Sequence, residues 1–298
     1  MANRRSRKRE GRRGRLNDVA RSTRRLSPSR IPWPVALAWA CLAPGLAAEH
    51  FGDGPREIAP GCEIVEGAVV RGPRADRRLA LVFTGHEFAE GLETILDQLA
   101  RHQARASFFL TGDFLAREEF APLIRRLVAE GHFLGPHSDK HLLYCAWEPA
   151  KRRLVSRAAF EADLRANLTK IARFSPERPA YFLPPYEHYD AEIARWTEAL
   201  GLRLVNYTPG TRSQADYTED HATNFVPSAT ILKSILWREA EDPHGLNSFL
   251  LLLHVGAGPK RSDKFHARFG ELLDRLAAQG YAFVRIDELL EPKPGRMP

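Results

Sequence analysis

The stretch SFLLLLH (Ser248–His254) sets five consecutive apolar residues directly before a histidine. A short run without polar interruption is typical of a strand whose two faces are both covered, as in a parallel sheet. Two runs of the same kind, LALVFT (Leu79–Thr84) and ASFFLTG (Ala106–Gly112), lie earlier in the chain. Together these runs predict a buried, mostly parallel sheet.

Strand-like runs alternate with amphipathic stretches from about residue 78 onward. The predicted strands are Leu79–Thr84, Ala106–Gly112, His132–His137, Tyr181–Tyr186, Leu202–Thr208, Ser248–His254 and Tyr281–Ile286. The predicted helices are Phe88–His102, Phe120–Glu130, Arg157–Phe174, Ile193–Leu200, Ile231–Glu239 and Lys264–Gln279. Because such alternation produces βαβ units, we expect a single α/β domain whose sheet is covered by helices or closed into a barrel.

The composition is that of a globular protein, with 298 residues, 44% hydrophobic and 27% charged. It excludes a collagen, a coiled coil and a wholly disordered chain. Residues 1–30 hold twelve Arg or Lys and two Asp or Glu, which gives this segment a charge of +10. Since the whole chain has a net charge of +7, the remaining residues carry −3. A mildly acidic body argues against a nucleic-acid-binding fold.

An uncharged apolar stretch, Ile31–Ala48, follows this basic tail. A basic segment, a short apolar run and terminal small residues are typical of a secretory signal, with cleavage expected near Ala47 or Ala48. The stretch is shorter than the roughly 20 residues that a membrane span needs, and it contains three prolines, so we expect no stable span. Export to the periplasm or the exterior is expected. The alternatives are a membrane anchor, or a cytoplasmic protein whose true start lies further downstream.

The sequence therefore divides into three parts. Residues 1–48 form the basic tail and signal-like segment, residues 49–77 a lead-in rich in Gly and Pro, and residues 78–292 the predicted catalytic domain. After cleavage only Cys62 and Cys145 would remain. Two cysteines permit one disulfide but do not require it.

Polar side chains gather where the predicted strands end. They are His86, Glu87, His137, His141, Tyr186, Glu187 and His254. The carboxyl ends of parallel strands meet at one end of an α/β domain, where ligands bind. The sequence therefore predicts a functional site built from several strand ends.

The segment HSDKH (His137–His141) is the strongest local motif. Two histidines four residues apart can hold one metal ion, which usually takes a third protein ligand and a water; two surface histidines on a loop are the alternative. His254 is either a hydrogen-bonded core residue or a catalytic acid or base. The backbone N–H of Tyr186, after two prolines, is either an oxyanion donor or part of a strand terminus.

In combination these motifs resemble the polysaccharide deacetylase family, the NodB-homology carbohydrate esterases, over roughly residues 78–292. LALVFTGHE lies where the family has an ALTFDDG-like motif, and GPHSDKH matches its H-[ST]-x-x-H motif. YFLPPY partly matches an FRPPYG-like motif, and LLLLH matches the late leucine–histidine motif.

The resemblance implies a deformed barrel of about seven mostly parallel strands that holds a divalent metal, with zinc expected. The implied reaction removes acetyl groups from an acetylated polysaccharide. His137 and His141 would be metal ligands, and His254 the general acid. The Tyr186 amide would stabilise the oxyanion, and Asp216 would orient His254.

The chain also departs from the family pattern. In an ungapped alignment Thr84 and Gly85 replace the two aspartates of the first motif, one a metal ligand and the other the base, and Leu183 replaces the arginine that positions the base. Losing the arginine together with its aspartate is physically coherent, because an unpaired buried charge is costly.

The neighbouring residues offer replacements for the missing groups. We predict His86 as the third metal ligand and Glu87 as the base, with Glu187 as a rival base. The alternatives are a non-catalytic carbohydrate-binding protein on the same scaffold and a metallo-hydrolase of another amide or ester. Tyr144 and Trp147, shortly after HSDKH, would form either a wall for sugar stacking or part of the core.

Overall fold

The computed structural model describes residues 54–292. The predicted basic tail and signal segment lie outside these residues. In the described part, no helix combines the length and the apolar character needed to cross a bilayer.

Residues 54–292 form nine strands and eight α-helices. The strands are β1 (Glu63–Val65), β2 (Ala68–Arg71), β3 (Arg78–Gly85), β4 (Ser107–Leu110), β5 (Phe133–Pro136), β6 (Tyr181–Phe182), β7 (Arg203–Leu204), β8 (Leu250–His254) and β9 (Ala282–Phe283). The helices are α1 (Leu92–Arg101), α2 (Gly112–Leu115), α3 (Ala121–Ala129), α4 (Arg157–Ile171), α5 (Ala191–Ala199), α6 (Ser228–Glu241), α7 (Phe269–Ala278) and α8 (Ile286–Leu290).

The central sheet is parallel and has the order β5-β4-β3-β8, with β9 paired to the start of β3. Beyond β5, the Leu183 N–H donates to the Pro136 carbonyl, and β6 then pairs with β7. Single bridges join Val69 of β2 to Val205, and Arg71 to Phe249. These links carry the sheet round into an irregular ring, which confirms the expected deformed α/β barrel.

The period of two along each strand divides the side chains between two cores. Leu79, Leu81 and Phe83 of β3 face the surrounding helices and pack there with α1, α3, α6 and α7. Ala80 and Val82 face the interior of the ring. The strands are thus buried on both faces, which explains why they are apolar without interruption.

The structure also adds elements and shortens others. Part of the predicted lead-in segment forms the β1–β2 hairpin, and β2 is buried in the ring. The last predicted strand reduces to β9, and Ile286 begins α8 instead. Helix α5 begins at Ala191 rather than at Ile193, because the Asp190 carboxylate accepts hydrogen bonds from the first-turn N–H groups.

Candidate active site

The alternation that separates the two cores also places three polar side chains at the mouth of the ring. Thr84 continues the inward series of Ala80 and Val82, and His254 continues that of Leu250 and Leu252. Thr84 and His254 are register partners on neighbouring strands. His137 follows β5 at the same end, and all three side chains line one cavity of about 420 Å³. The strand ends therefore do converge.

Three histidines meet on one side of this cavity. The rings of His86 and His141 stack with centroids 4.5 Å apart and an angle of 11° between their planes. The His137 and His141 rings are 5.2 Å apart. His86 Nδ1 lies 3.2 Å from the Thr111 hydroxyl. The structure thus brings together all three histidines that the sequence proposed.

Helix α4 holds the HSDKH loop in place. The Asp163 carboxylate accepts hydrogen bonds of 3.0 Å from the N–H groups of Asp139 and Lys140. Asn167 accepts from the His137 N–H at 2.9 Å and donates to the Leu110 carbonyl at 3.1 Å. Sequence reasoning missed both residues. The signal was present, since Asp163 and Asn167 interrupt the buried face of an otherwise apolar helix stripe.

The two histidines of this loop are neutral near neutral pH. His137 Nδ1 donates to the Leu183 carbonyl at 2.8 Å, which leaves Nε2 as the acceptor nitrogen. Burial, together with the neighbouring His141, holds the pKa of His137 well below its ordinary value. Burial, His86 and His254 lower the pKa of His141 to about 3. Neutral imidazole is the form that binds metals.

The metal set that the family implies is not complete in this arrangement. Within residues 54–292, no group of three or more His, Cys, Asp or Glu side chains is arranged to hold one metal ion. The nearly parallel stacking of His86 on His141 explains this, because lone pairs in two parallel ring planes do not point to a common centre. His137 and His141 supply two donors without a third, so the residues present do not fit a three-ligand site. His86 as third ligand stays a prediction.

The opposite side of the cavity is formed by a tightly bound acid–base pair. His254 Nδ1 lies 2.6 Å from Asp216 Oδ1, and the His254 backbone N–H donates to Asp216 Oδ2 at 2.9 Å. Burial alone would lower the pKa of His254. The Asp216 carboxylate and the charge of Glu187 outweigh burial, and the pKa of His254 is raised above its ordinary value. The pair is suited to hold a proton and to donate it.

The two candidate bases occupy different surroundings. The Glu87 side chain is 65% exposed, and its carboxylate is 4.0 Å from His86 Nε2. Glu187 lies in the turn after β6 and lines the cavity. Burial is the main cause that raises the pKa of Glu187 to about 7, and Asp216 adds to it while His254 opposes it. A carboxyl with a pKa near 7 is a stronger base than an ordinary one.

The turn that carries Tyr186 and Glu187 is strained. Both residues have left-handed backbones, with φ of 58° and 54°. Among residues 54–292, no protein group accepts a hydrogen bond from the Tyr186 N–H. A free N–H at the edge of the cavity is available to a ligand, and its role as an oxyanion donor stays a prediction. Ser138 and His141, at φ of 74° and 53°, share the same strain, which clusters at functional sites.

Aromatic side chains border the cavity and a second one beside it, of about 650 Å³. Trp147, Tyr186 and Tyr217 are largely exposed and line both cavities. The Trp147 ring stacks on His188 at 4.3 Å, which holds the indole in place. Tyr144, in contrast, is fully buried and packs on Phe160. Of the two aromatic residues after HSDKH, only Trp147 can meet a sugar.

The three positions at which the chain departs from the family motifs, Thr84, Gly85 and Leu183, are closely packed. The Thr84 hydroxyl is buried and has no hydrogen-bond partner among the described residues. Leu183 is buried inside the ring. A side chain at Gly85 would place its Cβ 2.7 Å from Val255 and 2.8 Å from Leu110. An aspartate therefore cannot return to position 85 without a shift of the apolar wall.

Comparisons with known proteins agree with this architecture. A family model described as polysaccharide deacetylase matches residues 71–205. A peptidoglycan-N-acetylglucosamine deacetylase of Bacillus cereus is 25% identical over 225 residues, which cover 76% of this chain and 72% of that protein. A solved peptidoglycan N-acetylglucosamine deacetylase is similar with a TM-score of 0.61 at 21% identity, over 76% of this chain and 94% of its own.

A second solved structure is a mutant of a CE4 family pseudoenzyme from Bacillus anthracis, with restored enzymatic activity. It is similar with a TM-score of 0.60 at 17% identity, over 76% of this chain and 72% of its own. At these identities the structural likeness shows the fold. The matched segment also contains the HSDKH and PPY motifs that lie together at the mouth of the ring. Sequence, fold and motif order agree in their similarity to the polysaccharide deacetylase family, whose model matches residues 71–205 of this chain.

Proposed function

We propose that this protein hydrolyses the N-acetyl groups of a polysaccharide that contains N-acetylglucosamine. The observation that carries the proposal is the His254–Asp216 pair, joined at 2.6 Å, at the mouth of the ring and opposite the histidine cluster. The relatives named above act on peptidoglycan N-acetylglucosamine. The exposed aromatic rings beside the pair are suited to stack on sugar faces.

His254 would act as the general acid. Its raised pKa favours the protonated imidazole, because Asp216 stabilises the imidazolium. The proton on Nε2 would be given to the sugar nitrogen as the carbon–nitrogen bond breaks. Asp216 also holds His254 through one hydrogen bond with ring Nδ1 and one from the His254 backbone N–H, which leaves Nε2 as the free ring nitrogen.

The Tyr186 N–H would hold the oxygen that becomes negative when water adds to the acetyl carbonyl. One preorganised donor of this kind is worth about 3 kcal/mol of transition-state stabilisation. Glu87 and Glu187 are the two candidate groups for accepting the proton of the attacking water. A divalent metal would polarise the carbonyl and the water, but His137 and His141 alone do not complete its ligand set.

A second candidate function is carbohydrate binding without hydrolysis. Thr84 and Gly85 stand in place of the first-motif aspartates, and a solved neighbour of the same fold is a pseudoenzyme. In that case the aromatic walls would bind sugar while the proton-transfer groups stay idle.

Release of acetate from N-acetylglucosamine polymers distinguishes the two functions. We expect purified protein to release acetate from peptidoglycan or an N-acetylglucosamine oligomer, and His254→Gln to lose at least about 10²-fold of that rate. The matched control is His244→Gln, a histidine in the turn after α6 that lines neither cavity. Protein that binds the oligomer without acetate release would establish the binding function instead.

A further inference from the structure

We propose that Glu187 is the catalytic base, which takes the proton of the attacking water in place of a carboxylate at the end of β3. The assignment rests on the proposed function. It uses a residue of the turn after β6 rather than one from the first motif. Glu187 lines both adjoining cavities at the place where they meet, together with Tyr186 and Tyr217.

The position of Glu187 relative to the acid supports this assignment. Glu187 and His254 line the same cavity at the mouth of the ring, and Asp216 is hydrogen-bonded to His254. The charges of His254 and Asp216 both act on the Glu187 carboxyl. Tyr207 and Tyr217 are further titratable neighbours, and the charge of Glu187 helps to raise the pKa of each. Within residues 54–292, no protein donor forms a hydrogen bond to the Glu187 carboxylate. Its oxygens remain available to water.

The backbone supplies a second, independent argument. Glu187 has φ of 54°, a conformation that favours glycine and costs other residues about 1–2 kcal/mol. The residue is held there by hydrogen bonds of its backbone to Pro184 and Asn206. A glycine would therefore satisfy the turn better than a glutamate. The strain points to a role for the side chain itself.

The reaction balances with these two groups. Glu187 removes one proton from water while the oxygen forms a bond to the acetyl carbon. His254 gives its Nε2 proton to the nitrogen as the carbon–nitrogen bond breaks, which yields a free amine and acetic acid. The Glu187 carboxyl then releases its proton to solvent, and the His254 imidazole takes one up from solvent. No oxidant, reductant or further reactant is consumed.

The test compares two substitutions of Glu187 with a matched strained glutamate. We expect Glu187→Gln to lower kcat for acetate release at least about 10²-fold with little change in KM. Glu187→Gly should lose as much activity yet raise Tm, because it relieves the left-handed strain. Glu66 has φ of 48° in the exposed β1–β2 turn and forms a surface ion pair with Lys151. Glu66→Gly relieves the same strain but loses that pair, so we expect a smaller rise in Tm and an unchanged kcat.

The pH profile separates a base from a structural residue. In the wild type kcat should rise with pH through about 7 as Glu187 loses its proton, and the residual activity of Glu187→Gln should lack this limb. Active wild-type protein with Glu187→Gln within threefold of it, or with the limb retained, overturns the assignment alone. Wild-type protein that releases no acetate overturns the proposed function, and the base assignment falls with it.

Discussion

The two sides of the candidate site differ in how firmly their polar side chains are held by hydrogen bonds and burial. On the β8 side, His254 is locked to Asp216 by two short hydrogen bonds, and Asp216 is buried. On the β3 side, the Thr84 hydroxyl has no partner among the described residues, and Glu87 is mostly exposed. The half that we propose to donate a proton is therefore tightly held, whereas, within residues 54–292, the half that would activate water lacks a buried carboxylate. The difference favours a base from another element, as proposed for Glu187.

Breaking the β8 side should have the largest effect. Asp216→Asn removes the charge that raises the pKa of His254, so we expect kcat for acetate release to fall about 10²–10³-fold near pH 7. The alkaline limb of the pH–rate profile should move to lower pH, because the imidazolium loses its proton earlier.

The stability of the folded protein should also depend on pH through His254. The pKa of His254 is raised in the folded state, so its contribution is present below the ordinary histidine pKa and is lost as pH rises through the folded value. Asp216→Asn should remove this pH dependence in thermal unfolding. An unchanged alkaline limb would show that Asp216 does not set the protonation of His254.

Zinc binding tests the histidine cluster formed by His86, His137 and His141. We expect zinc to bind weakly, because two imidazoles are one fewer than the three protein ligands of an ordinary catalytic site. In calorimetric titration His137→Ala or His141→Ala should weaken zinc binding at least about tenfold, whereas His86→Ala should change it less than threefold. Loss of zinc binding in His86→Ala would establish His86 as the third ligand.

The support beneath the histidine cluster can be tested separately. Asp163→Ala leaves the N–H groups of Asp139 and Lys140 without their acceptor, so we expect a loss of about 2 kcal/mol in urea unfolding. The control is Ser156→Ala, which removes the N-cap of the same helix without touching the loop and should cost about 1 kcal/mol. Only Asp163→Ala should also weaken zinc binding. Equal zinc binding in the two variants would show that the HSDKH loop keeps its conformation without Asp163.

The exposed carboxylate of the β3 side should matter least. With Glu187 as the base, Glu87→Gln should change kcat by less than about threefold, since its side chain is largely in solvent. Initial-rate measurements of acetate release at saturating substrate would decide this. A loss of about 10²-fold would instead make Glu87 the base and assign the rebuilt motif a direct role.

The sequence predicted much of the fold because its signals are local. Apolar runs such as Leu250–Leu253 marked strands that are buried on both faces, and the alternation with helices implied parallel order. The closure through β2 was not predictable in this way, since it depends on single bridges between residues far apart in sequence, Val69 with Val205 and Arg71 with Phe249. Strand register of this kind carries no local pattern.

The sequence by itself determined which residues could do chemistry, since histidines and carboxylates at strand ends are visible by spacing alone. The tertiary structure decided the orientation, exposure and pKa of these side chains. It stacked the His86 ring nearly parallel to that of His141, and it left Glu87 largely exposed. It also placed Glu187 among buried groups, where loss of hydration raises its pKa to about 7. Burial, ring orientation and nearby charge arise only from long-range packing, and they favour Glu187 over Glu87, the carboxylate that the sequence analysis preferred.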